Sequence, residues 1–240
     1  MSDNIKKEEK KLKKKQKREK KEEKRKLLGL PQYTLGEELV NSISHGLGAV
    51  FGVVALVLCV VFSARQGDVW KVVSSSVYGA SMIVLYSIST IYHALGINRA
   101  KKVMRTLDHC SIYFLIAGTY TPYCLVAMRE NTGFVIFLVV WAAAAVGITL
   151  NAINVQKFRI VSMIIYIAMG WTIVFSGRDL IASVPESGFI LLLSGGILYT
   201  VGAVLYGIGK KKKYMHSVFH FLALGGSILH FISIFGYVIL

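Results

Sequence analysis

Two histidines stand one helical turn apart in the segment HSVFH, residues 216–220. Side chains at i and i+4 lie on one face of an α-helix, so His216 and His220 can direct their imidazoles at one point. A third histidine, His93, closes the segment SISTIYH, and Asp108 stands in LDHCSIYF. Imidazoles bind metal ions, and a carboxylate can activate metal-bound water. The spacing predicts a shared partner, provided that the surrounding helices bring these groups together.

The composition predicts a membrane protein. The chain has 240 residues, of which 54% are hydrophobic and 17% are charged, whereas about a quarter of a soluble domain is charged. The three cysteines are an odd number without CxxC spacing, so we expect no disulfide framework and no thiolate metal site.

Much of the charge lies in an N-terminal tail, residues 1–30. Residues 6–26 carry 14 of the 28 Lys and Arg, and the first 26 residues carry six of the 13 acids. The tail lacks the apolar region of a signal peptide and has no apolar face to bury. We expect a solvated, mostly disordered cytoplasmic tail that is attracted to anionic lipid headgroups. Nucleic acid is not an expected partner, since no aromatic or groove-reading element accompanies the charge.

Seven uncharged apolar segments are long enough to cross about 30 Å of hydrocarbon. They lie near residues 44–64, 72–93, 109–128, 134–153, 160–177, 189–208 and 216–239. Loops rich in Lys and Arg, such as residues 94–105, alternate with loops that lack this excess, which places the N-terminus in the cytoplasm and the C-terminus outside. The predicted fold is an all-α integral membrane domain of seven transmembrane helices over residues 34–240, in the cell membrane. The number of subunits is left open.

This topology brings the candidate residues to one depth, because His93, Asp108, His216 and His220 all fall at cytoplasmic helix ends. A single histidine there is usually an interfacial or packed side chain. Ionisable groups inside a membrane, however, face the bundle interior and pair with something. Three imidazoles with water in a fourth position form an open zinc site. We therefore predict Zn²⁺ on the three histidines, with Asp108 as the acid that orients or deprotonates the water.

Other polar residues lie near the same level. Ser89, one turn before His93, could orient a ligand or hold a substrate carbonyl, or it could bond only to its own helix backbone. A polar stripe follows a predicted capping box at Thr34. The stripe either contacts headgroups or, with the histidine after Asp108, surrounds the metal ligands; these four residues are Glu37, Asn41, His45 and His109.

Two further residues are predicted to shape the bundle. His230 lies ten residues beyond His220, off the face that carries the paired histidines, and we expect it to line or pack a cavity. Pro122 is expected to kink the third span.

Four segments carry a family resemblance: EELVNSISHGLG, SISTIYH, LDHCSIYFLIAGTYTPY and HSVFHFLALGGSILHF. They resemble the signature segments of bacterial hemolysin III proteins, in the progestin and adipoQ receptor superfamily, which is grouped with membrane hydrolases such as alkaline ceramidases. The resemblance runs from about Glu37 to Tyr237. It implies a seven-helix fold with three histidines on zinc near the cytoplasmic face, an Asp-held water and a serine, Ser89, in the motif. Eukaryotic relatives combine receptor function with lipid amide hydrolysis, and the bacterial branch is associated with red-cell lysis and membrane lipid homeostasis.

Three functions fit these observations. The first is a zinc-dependent hydrolase of a membrane lipid amide or ester, acting in lipid homeostasis, which rests on the open metal shell beside a carboxylate. The second is a pore-forming, cytolytic protein, although a pore needs a polar lining through the bilayer and the polar groups here gather at one end. The third is a receptor-like sensor with structural zinc. We rank them in this order.

Overall fold

Seven stretches of helix are long and apolar enough to cross a membrane, as the hydropathy predicts. The computed structural model describes residues 2–209 and 212–240, and within these ranges the chain is helical, without β-strands. The α-helices are α1 (Ser2–Leu27), α2 (Leu35–Arg65), α3 (Val69–Ala94), α4 (Arg99–Pro122), α5 (Gly133–Asn154), α6 (Arg159–Trp171), α7 (Gly177–Ser183), α8 (Glu186–Ile208) and α9 (Met215–Ile234). The predicted all-α, multi-pass membrane fold is confirmed. Lys210 and Lys211, in the basic segment between the sixth and seventh predicted spans, lie outside the described residues.

The helix of the first span starts before the apolar segment 44–64 from which it is predicted. Helix α2 begins at Leu35, so the polar stripe that follows the capping box and the first span belong to one continuous helix. The predicted capping box is confirmed: the Glu37 backbone N–H donates to Thr34 Oγ1 at 3.2 Å, and the Thr34 backbone N–H donates to the Glu37 carboxylate at 2.8 Å. Two orphan N–H groups at the helix start are thereby satisfied, which fixes where α2 begins.

The third span changes helix type at its proline. Helix α4 ends at Pro122, and a π-helical turn, Tyr123–Ala127, completes the span. Proline cannot donate an N–H to the preceding turn, and a wider turn accommodates its ring. A π turn thus begins directly after Pro122, where the sequence predicts a kink. A second π turn, Phe235–Ile239, follows α9, and a 3₁₀ turn, Thr172–Ser176, joins α6 to α7.

The packing of the spans leaves a large cavity on one side of the bundle. Helix α3 packs closely against both α2 and α4, and α8 packs closely against α9. Helix α6, in contrast, makes few contacts with its neighbours. The cavity has a volume of about 420 Å³ and lies mainly between α4, α6, α8 and α9. Along α8 its lining extends from Phe189 to Tyr206, which is about 25 Å of helix. Its walls are predominantly apolar.

The basic tail is helical (α1) in the structure, whereas the sequence predicts a mostly disordered segment. Lys, Arg and Glu are good helix formers, and Lys11 pairs with Glu8 three residues earlier at 2.7 Å. Its side chains between Lys6 and Lys24 are exposed, as the prediction of a solvated tail requires. A helix without tertiary support is marginal in water, so disorder of the free tail stays a prediction.

Candidate metal centre

Three histidines meet at the end of the bundle where α3 finishes and α9 begins, here called the histidine end. Helix α3 supplies His93 from its last turn, and α9 supplies His216 and His220 from its first two turns. The Nε2 atom of His216 lies 3.3 Å from that of His93 and 3.1 Å from that of His220. Their ligand atoms all lie within 4.8 Å of one another. The histidines predicted from the sequence are thus brought together as a histidine trio.

The geometry of the histidine trio fits a small divalent cation. Ligands at 2.0–2.1 Å in a tetrahedral zinc site lie about 3.3 Å from one another, close to the observed 3.1 and 3.3 Å. His93 and His220 are only 2% and 1% exposed, so their nitrogens are not open to bulk water. A cation accepts three lone pairs at once, which one shared N–H proton cannot do with good geometry. The trio is therefore a possible metal site, whose metal the geometry alone does not name.

The far nitrogen of His93 is held by a glutamate that the sequence analysis missed. His93 Nδ1 lies 2.7 Å from Glu38 Oε2. The other oxygen of Glu38 lies 2.9 Å from the ammonium of Lys101. A signal for Glu38 does exist, because Glu38, Asn41 and His45 stand at i, i+3 and i+7, which is also one helix face.

The polar stripe of α2 faces the bundle interior rather than headgroups. Glu37, Asn41 and His45 are 6%, 0% and 4% exposed, so the alternative of headgroup contact is wrong. Asn41 Oδ1 accepts a hydrogen bond from Ser217 at 2.6 Å, and the Asn41 amide nitrogen lies 3.5 Å from His93 Nδ1. The bond from Ser217 thus connects α2 to α9, which carries His216 and His220.

The other two members of the stripe have separate contacts. The ring of His45 stacks on that of His220, with centroids 3.5 Å apart and planes 11° apart. Glu37 accepts from the Tyr214 backbone N–H at 2.8 Å, which fastens the start of α2 to the start of α9. Glu37 therefore joins helix ends, while His45 packs against a member of the trio.

Asp108 lines the same cavity as His216 and His220, but it is not part of the convergent group. Among the described residues, the group of mutually close ligand atoms contains the three histidines alone. The nearest basic group is His109, whose Nδ1 lies 3.8 Å from Asp108 Oδ2. That Nδ1 donates to the Arg105 backbone carbonyl at 2.9 Å. His109 is thus bound to its own helix and stands outside the trio.

Ser89 and His230 also line the cavity. The Ser89 hydroxyl is buried and has no hydrogen-bond partner among the described residues, so the alternative in which it bonds to its own helix backbone is not observed. His230 Nε2 donates to the Leu192 carbonyl at 3.0 Å, and its place in the cavity wall is as predicted. Cys59 and Cys124 are buried in the core as free thiols.

A short connection between α1 and α2, residues 28–34 and here called the strap, covers the histidine trio. The ring of Tyr33 stacks on that of His216, with centroids 5.0 Å apart and planes 14° apart. The strap is anchored at Gly29, whose carbonyl accepts hydrogen bonds from Arg105, at 2.7 Å, and from Gln156. Burial raises the pKa of the Tyr33 phenol well above its usual value, so the ring stays neutral. The sequence analysis missed this cover, because the strap has no periodic pattern.

Comparisons with known proteins agree with this architecture. The family described as "Haemolysin-III related" matches residues 33–231. The chain is 38% identical over 205 residues to "Hemolysin-3 homolog" of Bacillus subtilis (strain 168), covering 85% of this chain and 96% of that protein. It is 38% identical over 203 residues to "Hemolysin-3" of Bacillus cereus, covering 85% and 92%.

A more distant match extends to animals. The chain is 24% identical over 212 residues to the human "Monocyte to macrophage differentiation factor", covering 85% of each chain. This match supports the predicted placement in the progestin and adipoQ receptor superfamily. Because one family matches most of the sequence and two bacterial relatives align over nearly their whole length, the chain belongs to the haemolysin-III related family of membrane proteins.

Proposed function

We propose that this protein is a zinc-dependent hydrolase that cleaves an amide or ester bond of a membrane lipid. One observation carries the proposal: the nitrogens of the histidine trio converge, and two members of the trio, His216 and His220, line a long, predominantly apolar cavity together with Asp108 and Ser89. An open three-histidine site beside a carboxylate suits hydrolysis. With the histidine end in the cytoplasm, as the loop charges predict, the reaction takes place near the inner leaflet.

The cavity supports a lipid as the substrate class. Its volume of about 420 Å³ falls within the usual range for small-molecule sites, about 300–1,000 Å³. Its extent along α8 suits an extended hydrocarbon chain better than a compact polar molecule. Apolar walls with a few polar groups at one end would hold the chain and leave the amide or ester at the histidine end.

Each polar group has a role in this proposal. His93, His216 and His220 would hold the zinc ion, which would supply Lewis-acid polarisation of the carbonyl and of the attacking water. Asp108 takes a proton from the attacking water while the water oxygen forms a bond to the carbonyl carbon. The same carboxyl then gives that proton to the departing nitrogen or oxygen as the C–N or C–O bond breaks. The Ser89 hydroxyl donates a hydrogen bond to the carbonyl oxygen. The products are a carboxylic acid and an amine or alcohol.

The experiment separates the metal ligands from the acid. Asp108→Asn keeps the shape of the side chain but cannot act as a base, so we expect near-stoichiometric zinc with hydrolysis lowered roughly 10²-fold or more. His220→Ala removes one of three ligands and should lose both metal and activity. His230→Ala, on the same helix but outside the trio, should keep its zinc and serves as the control. Zinc per folded protein is measured by mass spectrometry, and hydrolysis by product release from a panel of amide and ester lipids.

Two outcomes would contradict the proposal. If Asp108→Asn is as depleted of zinc as His220→Ala, Asp108 is a direct ligand, and the site is closed and structural, as in a sensor. If the zinc-loaded protein releases no product from any lipid of the panel, the hydrolase assignment is wrong.

A lytic function is the second candidate, because a relative with 38% identity bears the name "Hemolysin-3". A water-filled pore needs polar groups along its whole length. The walls of the cavity are predominantly apolar, and its acidic and most of its basic side chains gather at the histidine end. The hydrolase therefore ranks first.

A further inference from the structure

We infer that Glu38 and Lys101 are a positioning pair that fixes the ring of His93 for metal binding. The inference rests on the metal site of the proposed function but not on hydrolysis, so its tests measure metal binding alone.

The carboxylate of Glu38 holds two partners at once. Oε2 lies 2.7 Å from His93 Nδ1, and Oε1 lies 2.9 Å from the Lys101 ammonium. A carboxylate only accepts hydrogen bonds, so His93 must carry its proton on Nδ1. The Nε2 atom of His93 is then the unprotonated nitrogen, and it is this atom that faces His216. Such a bond fixes both the tautomer and the orientation of a metal-binding histidine.

Lys101 holds the carboxylate in place. The side chain is 96% buried, and its ammonium also donates to the backbone carbonyls of Tyr92 and Leu95, each at 2.9 Å. The three N–H groups of the ammonium therefore have three acceptors, one from Glu38 and two from the end of α3. A cation is favourable at a helix C-terminus. One ammonium thus ties α2, the last turn of α3 and the first turn of α4 together around His93.

The pair matters because His93 comes from a different helix than the other two ligands. His216 and His220 share α9, and their spacing is fixed by one helix turn. The position of His93 relative to them depends on how α3 is held. His216 Nδ1 is buried without a hydrogen-bond partner among the described residues, so the Glu38–Lys101 pair does not have an equivalent there.

Glu38→Gln and Lys101→Met test the pair. The loss of such an outer partner typically weakens metal binding 10- to 100-fold, and we expect a loss in this range for Glu38→Gln and at least about 10-fold for Lys101→Met. The double variant should bind no more than about 3-fold more weakly than Glu38→Gln alone, because both changes break one chain of bonds. Zinc affinity is measured on purified protein by competition with a chromophoric chelator. The visible spectrum of the Co²⁺-loaded protein reports the ligand geometry.

The neighbouring glutamate supplies a matched control. Glu37 bonds to Thr34 and Tyr214 and, among the described residues, makes no hydrogen bond to His93. Glu37→Gln should therefore keep zinc affinity within about 3-fold of wild type and an unchanged Co²⁺ spectrum. Glu38→Asp keeps the charge but shortens the arm, and it replaces Glu38→Gln if that variant does not fold. Thermal unfolding of the metal-free proteins separates lost stability from lost affinity.

The zinc affinities of these variants test whether Glu38 and Lys101 position His93. Wild-type zinc affinity in the Glu38 variants overturns it, as does an equal loss in Glu37→Gln. Losses that multiply in the double variant show that Glu38 and Lys101 act independently, which refutes the pair. If His220→Ala also binds zinc like wild type, the histidine trio itself is not the metal site. That failure is distinct from an absence of lipid hydrolysis.

Discussion

The contact between α8 and α9 has no room for a side chain at Gly195, and this predicts a large effect of one methyl group. A Cβ atom at Gly195 would lie 2.3 Å from His230 Cδ2 and 3.0 Å from the Gly226 backbone oxygen. The first clash needs the His230 ring to move, and the second needs the two helices to separate. A Cβ at the adjacent Gly196 meets nothing within 4 Å. Gly195→Ala and Gly196→Ala therefore differ in packing alone.

The magnitude follows from the two contacts. An extra carbon in a close-packed interface costs about 1–3 kcal/mol. Moving His230 also breaks its 3.0 Å bond to the Leu192 carbonyl, which is worth about 1 kcal/mol inside a membrane bundle. We therefore expect Gly195→Ala to lower the free energy of unfolding by about 2–4 kcal/mol. Gly196→Ala should leave it unchanged or raise it by up to about 1 kcal/mol, because alanine is favoured over glycine inside a helix.

The assay is equilibrium unfolding of the purified proteins in mixed micelles by sodium dodecyl sulfate, followed by circular dichroism. Because α9 carries His216 and His220, zinc content is measured on the same samples. The reasoning fails if Gly195→Ala is as stable as Gly196→Ala, since the two helices then do not approach as closely as described.

Three other predictions concern the C-terminus, the basic tail and the strap. A reporter enzyme that works only outside the cytoplasm should be active when fused after Leu240, because the loop charges predict an external C-terminus. If only a reporter that works in the cytoplasm is active there, the predicted orientation of the helices is wrong. Deletion of residues 2–26 leaves the strap intact and should not change the rate at which bound zinc passes to a water-soluble chelator. Tyr33→Ala should raise that rate several-fold, whereas Tyr33→Phe, which keeps the stacked ring on His216, should not; equal rates in all these proteins would show that the strap does not cover the site.

The histidine trio could be predicted because two simple rules fix it. Alternating loop charges set the depth of each helix end, and helical spacing sets which side chains of α9 share a face. The choice between Glu37 and Glu38 lies beyond such rules. Both begin plausible polar stripes, and only the packing of α2 against α3 determines which carboxylate meets His93.

Lys101 and Tyr33 were missed for a different reason. Lys101 belongs to the basic segment 94–105, where charge statistics treat every base as solvated. The ammonium is instead buried, because a carboxylate and two helix-end carbonyls lie within its reach. Tyr33 lies in the strap, where no periodicity reveals a tertiary contact. Both contacts join segments far apart in the chain, and local sequence patterns do not encode them.

The histidine trio joins residues 123 positions apart in the chain, and this has a consequence for biogenesis. Chains emerge from the ribosome N-terminus first, so Glu38, His93 and Lys101 are made long before α9. This early half offers one ligand nitrogen, already oriented, while the other two arrive together on the last helix. If the trio binds a metal ion as proposed, a chain truncated before α9 would not retain it, and uptake of the ion would mark the completion of insertion. An ion that binds only the folded form stabilises that form. The ion would therefore stabilise the contact between the first half of the polypeptide and its last helix, and only after that helix has been inserted.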